Sequence, residues 1–153
     1  MHQLLPALEG LLTGEPSGIA NLANVASALW SATGWHWVGF YLVDQAADNL
    51  VLGPFQGPVA CTRLHRGKGV CAAAWETNAT QVVPDVHEFP GHVVCSSASL
   101  SEVVLPICGS NGVVVAVLDI DSALADDFSQ EEVEGLEALR ALLERAWPTW
   151  SWS

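Results

Sequence analysis

The stretch SEVVLPICGSNGVVVAVLDIDS, residues 101–122, decides the fold. Two runs rich in β-branched residues, 102–107 and 113–120, flank the tetrapeptide GSNG at 109–112, whose glycines and asparagine suit the tight turn of a hairpin. On the second run a period of two puts Asp119 and Asp121 on one face and Leu118 and Ile120 on the other. Glu102 opens the neighbouring strand, so three carboxylates can converge at one end of a sheet.

Downstream, Ser129 and Glu132 form a capping box, S-x-x-E, that starts a helix running to about residue 146, before Pro148. Its acids read as a solvated helix face. Upstream, Ile19, Leu22, Ala23, Ala26, Leu29 and Trp30 recur at helical spacing across residues 18–33, with Gly34 at the stop. Aromatic and β-branched residues from Trp35 to Val43 then make a strand, with Trp37 and Tyr41 on one face and Gly39 between them. A turn over 44–48 leads to a second strand at 50–52, closed by Gly53 and Pro54. A short extended piece (59–62) precedes the basic, glycine-rich RGKG, and VCAAAWETN (70–78) reads as a short helix.

Residues 84–100 form a long irregular segment, and such segments inside compact domains are usually functional or disordered. This order implies an antiparallel sheet with helices packed against it, an α+β fold. The 153 residues read as one domain, with a core at about 16–147 and a Trp-rich tail at 148–153.

Half the residues are hydrophobic and 14% are charged, enough apolar material for one core. The apolar runs fall far short of the ~20 residues of a spanning helix, and no basic, apolar leader opens the chain. A cytoplasmic protein without membrane association is expected. The net charge of −12 repels phosphate backbones and argues against nucleic-acid binding.

Four cysteines, Cys61, Cys71, Cys95 and Cys108, lack any C-x-x-C pair. Zinc held by Cys61, Cys71, Cys95 and His87 or His92 is disfavoured, because structural zinc ligands come in close pairs. Inert buried thiols and redox-active ones both remain open, and Cys108, inside an apolar strand, is expected to be inert. His65, His87 and His92 read as loop histidines rather than ligands.

Taken together, WVGFYL (37–42), LGPFQGPVACTR (52–63), GKGVCAAA (67–74), DVHEFPGHVVCSSAS (85–99), SEVVLPI (101–107) and AVLDIDS (116–122) resemble the free methionine-R-sulfoxide reductases, a family of GAF fold. The likeness spans nearly the whole domain in the same order. Cys108 and slightly longer connections at 44–49 and 109–112 depart from the family pattern.

The resemblance implies an enzyme that reduces the R-sulfoxide of the free amino acid. No bound cofactor is implied, since electrons come from thioredoxin. By the same resemblance Cys95 matches the attacking thiol, Cys61 the resolving one, and Cys71 a third thiol able to join the relay. Glu102, Asp119 and Asp121 match acids that hold the substrate ammonium and assist the chemistry. Trp37 and Tyr41 match aromatics around the sulfoxide methyl. A homodimer is expected on family grounds alone. The competing expectation is a non-catalytic GAF domain that binds a ligand or senses redox state; such sensors are normally joined to an output domain, for which this chain has no room.

The residues suit that chemistry. A sulfenic acid left on Cys95 condenses readily with a nearby thiol. A partly buried carboxyl among others keeps its proton to higher pH, which makes Glu102 the expected proton donor. Small residues after Cys95 (Ser96, Ser97, Ala98 and Ser99) offer backbone N–H groups to the substrate carboxylate. Nearby acids disfavour the Cys95 thiolate, so either a cation such as Arg63 or His92 offsets them or substrate binding neutralises the acids first.

Overall fold

The computed structural model describes residues 1–93, 95 and 98–153. Among these, six strands form one antiparallel sheet: β1 (Trp37–Asp44), β2 (Asn49–Gln56), β3 (Arg63–His65), β4 (Gln81–Val83), β5 (Ser101–Cys108) and β6 (Val114–Ser122). Their order across the sheet is β3-β2-β1-β6-β5-β4. Helices α1 (Leu5–Leu12), α2 (Gly18–Thr33) and α4 (Gln130–Ala146) bury one face of the sheet, and α3 (Val70–Thr77) lies against the other. This is a GAF fold.

Strict alternation assigns the two faces. Val38, Phe40, Val103, Leu105, Leu118 and Ile120 point into the main core with α1, α2 and α4. Trp37, Tyr41, Val104 and Val117 point to the α3 side. Glu102, Asp119 and Asp121 share that second face, because each lies two residues from a member of it. The expected hairpin forms, with Glu102 opposite Asp121 and Val104 opposite Asp119.

Helix boundaries follow their caps. The Ser17 side chain accepts from the Ala20 N–H at 3.1 Å, and Gly34, at φ 71°, ends α2. Ser129 and Glu132 form the capping box on α4.

Several boundaries differ from expectation. Strand β2 does not close at Gly53-Pro54 but runs to Gln56. Its register against β1 jumps from Leu52 opposite Tyr41 to Phe55 opposite Gly39, so one extra residue bulges where Pro54 has no N–H to give. The extended piece expected at 59–62 is a loop, and the strand follows it as β3. Helix α1 and the edge strand β4 were not expected; Leu8 and Leu12 of α1 are buried in the main core.

The Trp-rich tail is packed. Ser151 donates its N–H to the Pro16 carbonyl and accepts from the Gly18 N–H at 3.0 Å. Trp152 lies over Gly18, whose missing Cβ would fall 2.6 Å from the indole ring. Trp147 and Trp152 stack with centroids 4.7 Å apart, and Trp150 is buried. No helix among the described residues is long and apolar enough to cross a membrane.

Candidate active site

On the α3 side of the sheet lies a cavity of ≈ 60 Å³. Its floor is Glu102, Asp119 and Asp121 from the hairpin, with Trp37 and Tyr41 from β1 beside them. Cys71, the second residue of α3, and Cys95 also line it. Of the ten site residues singled out from sequence, seven thus meet in one place, while Cys61 is joined to Cys95 by a disulfide with Cα atoms 5.5 Å apart. Ser96 and Ser97 lie outside the described residues. Ser99 lines the cavity and is buried.

The aromatic wall is built around one glycine. Trp37 stacks on Phe55 at 5.2 Å and on Tyr41 at 6.0 Å, measured between ring centroids. A Cβ on Gly39 would lie 2.3 Å from Phe55 Cβ and 2.6 Å from the Trp37 ring, so only glycine fits there. Both aromatics also hold the Cys61 segment: Trp37 Nε1 donates to the Pro58 carbonyl at 3.0 Å, and the Tyr41 hydroxyl donates to the Cys61 carbonyl at 2.8 Å.

Electrostatics divide the acids. Burial, then repulsion from Asp119 and Asp121, pushes Glu102 well above the usual carboxylate range. Burial raises Asp119 as well, but interaction with Glu102 and the Cys71 thiol pulls it back. Burial among like charges therefore favours the protonated form of Glu102. Asp121 is likewise raised, by burial and then by Asp119. The Asp119 Oδ1 atom is buried without a hydrogen-bond partner in the structure. A buried carboxylate oxygen without a donor is a ready acceptor for a cationic N–H group.

Burial, then the same carboxylates, hold the Cys71 thiol well above its ordinary range, so it stays neutral. Burial, together with the Asp119 charge, also keeps the Tyr41 hydroxyl protonated.

The expected offsetting cations are not where the sequence suggested. Arg63 is engaged with Asp44 at 2.6 Å and Asn49 at 2.9 Å, and does not line the cavity. His92 does line it, but burial, then the neighbouring His87, lowers its pKa and favours the neutral ring. Lys68 at the mouth is the cation that sequence reasoning missed. It stood in the recognised RGKG stretch, but nothing in one sequence says which member of a basic run turns inward.

Cys108 also departs from expectation. It ends β5 half-exposed, its thiol 3.3 Å from Asn78 Oδ1 and its N–H donating to Glu144 at 2.6 Å. Two of the four cysteines weighed at the outset, Cys61 and Cys95, are bonded to each other.

Residues 22–147 match the GAF domain family. The chain is 52% identical over 143 residues to GAF domain-containing protein A of Dictyostelium discoideum, covering 94% of this chain and 89% of the relative. It is 46% identical over 140 residues to the free methionine-R-sulfoxide reductase of Escherichia coli K12, covering 91% and 83%. The fold superposes with a TM-score of 0.92 on the X-ray structure of the Neisseria meningitidis free methionine-R-sulfoxide reductase in complex with its substrate. The identity there is 46%, over 95% of this chain and 87% of that one. A cavity that sets paired cysteines above a carboxylate floor, in a chain this similar to those enzymes, belongs to the free methionine-R-sulfoxide reductase family of GAF proteins.

Proposed function

We propose that the chain reduces free L-methionine-(R)-sulfoxide to L-methionine. The single observation that carries the reading is the Cys61–Cys95 disulfide at the rim of a cavity whose floor is Glu102, Asp119 and Asp121.

Cys95 attacks the sulfoxide sulfur, and Glu102 gives its proton to the departing oxygen. The oxygen leaves on Cys95 as a sulfenic acid, so the cysteine loses two electrons and the sulfoxide gains them. Cys61 then condenses with the sulfenic acid, expelling water and leaving the disulfide. A dithiol donor, thioredoxin, returns the pair to thiols by exchange. Cys71, buried and neutral, is a weaker candidate for resolution than Cys61.

Asp119 and Asp121 receive the substrate ammonium, which explains the orphaned Asp119 oxygen. The methyl group rests on Trp37 and Tyr41. Lys68 at the mouth, with backbone N–H groups after Cys95, takes the carboxylate. A zwitterionic amino acid thus meets acids at the floor and a cation at the entrance, while the same group within a polypeptide has neither charge to offer.

A homodimer belongs to the same reading. Ile19 and Trp30, eleven residues apart and so on one side of α2, are 52% and 41% exposed, and mass measurement in solution tests their pairing.

The deciding experiment is turnover of separated sulfoxide epimers with thioredoxin as reductant. Methionine should form from the free R epimer and not from the S epimer. Absence of turnover with both would leave a ligand-binding or redox-sensing GAF domain.

A further inference from the structure

We infer that the cavity floor is also a binding site for a borderline-soft divalent cation of the zinc class, held by Cys71 Sγ and one carboxylate oxygen each from Glu102 and Asp119. These three donor atoms lie within 4.8 Å of one another. All three side chains are buried, at 5%, 7% and 6% exposure. Ligands around tetrahedral zinc stand roughly 3.5 Å apart, given bonds of ~2.0–2.3 Å, so the set closes on an ion by about 1 Å of side-chain movement.

Two features point to a cation. The Asp119 side chain lines the cavity, and its Oδ1 atom is buried with no hydrogen-bond partner among the described residues. In addition, Glu102 and Asp119 are both buried acids, and no basic side chain is buried among the described residues. The thiol selects the metal: sulfur favours zinc over magnesium or calcium, which prefer all-oxygen shells. Binding displaces the Cys71 proton and any proton held by the two acids, which leave to solvent.

Cys95 lines the same cavity and, in the disulfide form, is bonded to Cys61. The ion occupies Asp119, assigned to the substrate ammonium, and Glu102, assigned as the proton donor, and this competition, unlike the binding itself, rests on the reductase reading above.

The test uses the Cys61–Cys95 disulfide form, in which Cys71 and Cys108 are the free thiols. Titration with Co²⁺ should raise a near-ultraviolet thiolate-to-cobalt band that Zn²⁺ abolishes by displacement. Cys108→Ser should keep the band, Cys71→Ser should lose it, and Asp119→Asn, checked for an unchanged melt, should weaken Co²⁺ binding at least tenfold. Absence of the band in the folded protein, its survival in Cys71→Ser, or undiminished affinity in Asp119→Asn overturns the site. Free methionine sulfoxide should displace the cobalt. A cobalt band without sulfoxide turnover would sink the reductase reading alone, and turnover without a band would sink the metal site alone.

Discussion

The Tyr41 hydroxyl donates to the carbonyl oxygen of Cys61 at 2.8 Å, tying the cavity wall to the backbone of one disulfide partner. A side chain assigned to the substrate methyl therefore also sets where the second thiol waits. Such a buried hydrogen bond is worth about 1 kcal/mol.

Removing that tie should separate two steps. Tyr41→Phe keeps the ring and its stack on Trp37 but frees the Cys61 segment. A single turnover should still yield about one methionine per enzyme, while the steady-state rate falls several-fold through slower disulfide closure. Quenched-flow measurement of methionine against disulfide formation checks this; equal losses in both steps would assign Tyr41 to substrate alone.

Gly39→Ala places a methyl where Phe55 and the Trp37 ring already stand, at 2.3 and 2.6 Å. Overpacking of this kind costs about 1–3 kcal/mol. The melting temperature should drop by several degrees, and KM should rise because the aromatic wall must shift. An unchanged melt would show that the wall is more yielding than its stacking suggests.

Glu102 carries a stability cost with a definite sign. Its pKa is raised in the folded chain, so the native state holds more protons than the unfolded one once pH passes the ordinary carboxylate range. Stability therefore declines with rising pH until Glu102 itself ionises. Glu102→Gln cannot ionise and should lose this part of the decline, melting higher than the parent at pH 8. The same change should lower kcat/KM by about 10²–10⁴, and parental kcat/KM should fall as pH rises through the Glu102 pKa. Thermal melts and a pH–rate profile of both proteins test the pair of effects.

Lys68→Met removes the cation at the mouth. KM for the free amino acid should rise by about tenfold, the scale of one exposed charge-assisted hydrogen bond, with kcat little changed. Initial-rate kinetics decide it. A fall in kcat at constant KM would place Lys68 beside the Cys95 thiolate instead.

Much of this site was legible in residue order alone, because period two on β5 and β6 is a hard geometric constraint. Once the hairpin around GSNG is recognised, Glu102, Asp119 and Asp121 must share a face, and they do. Trp37 and Tyr41 follow by the same rule. The Cys61–Cys95 pairing matches what family likeness implied and could not come from spacing. Arg63 shows the limit: its partner Asp44 lies across the sheet edge, and the contact depends on the β2–β3 register. Strand β4 was missed for a related reason, since three residues are too few for a pattern to stand out. The Trp-rich tail gave no periodic signal either, as its docking on Gly18 is a matter of shape.

That docking makes the tail a clasp, and its loss should be costly. Deleting residues 150–153 removes buried Trp150 and the cover over Gly18, at about 3 kcal/mol by analogy with truncating a core tryptophan. Chemical denaturation should report a lower midpoint; an unchanged midpoint would make the clasp ornamental.

The Cys61–Cys95 bond spans a sequence separation of 34 and encircles β3, α3 and β4. Chain topology is therefore part of the cycle: the cover over the cavity is a covalent ring when spent and an open strap when ready. A protease offered both forms would meet two different molecules, and the ring form alone would hold together after a single cut within it.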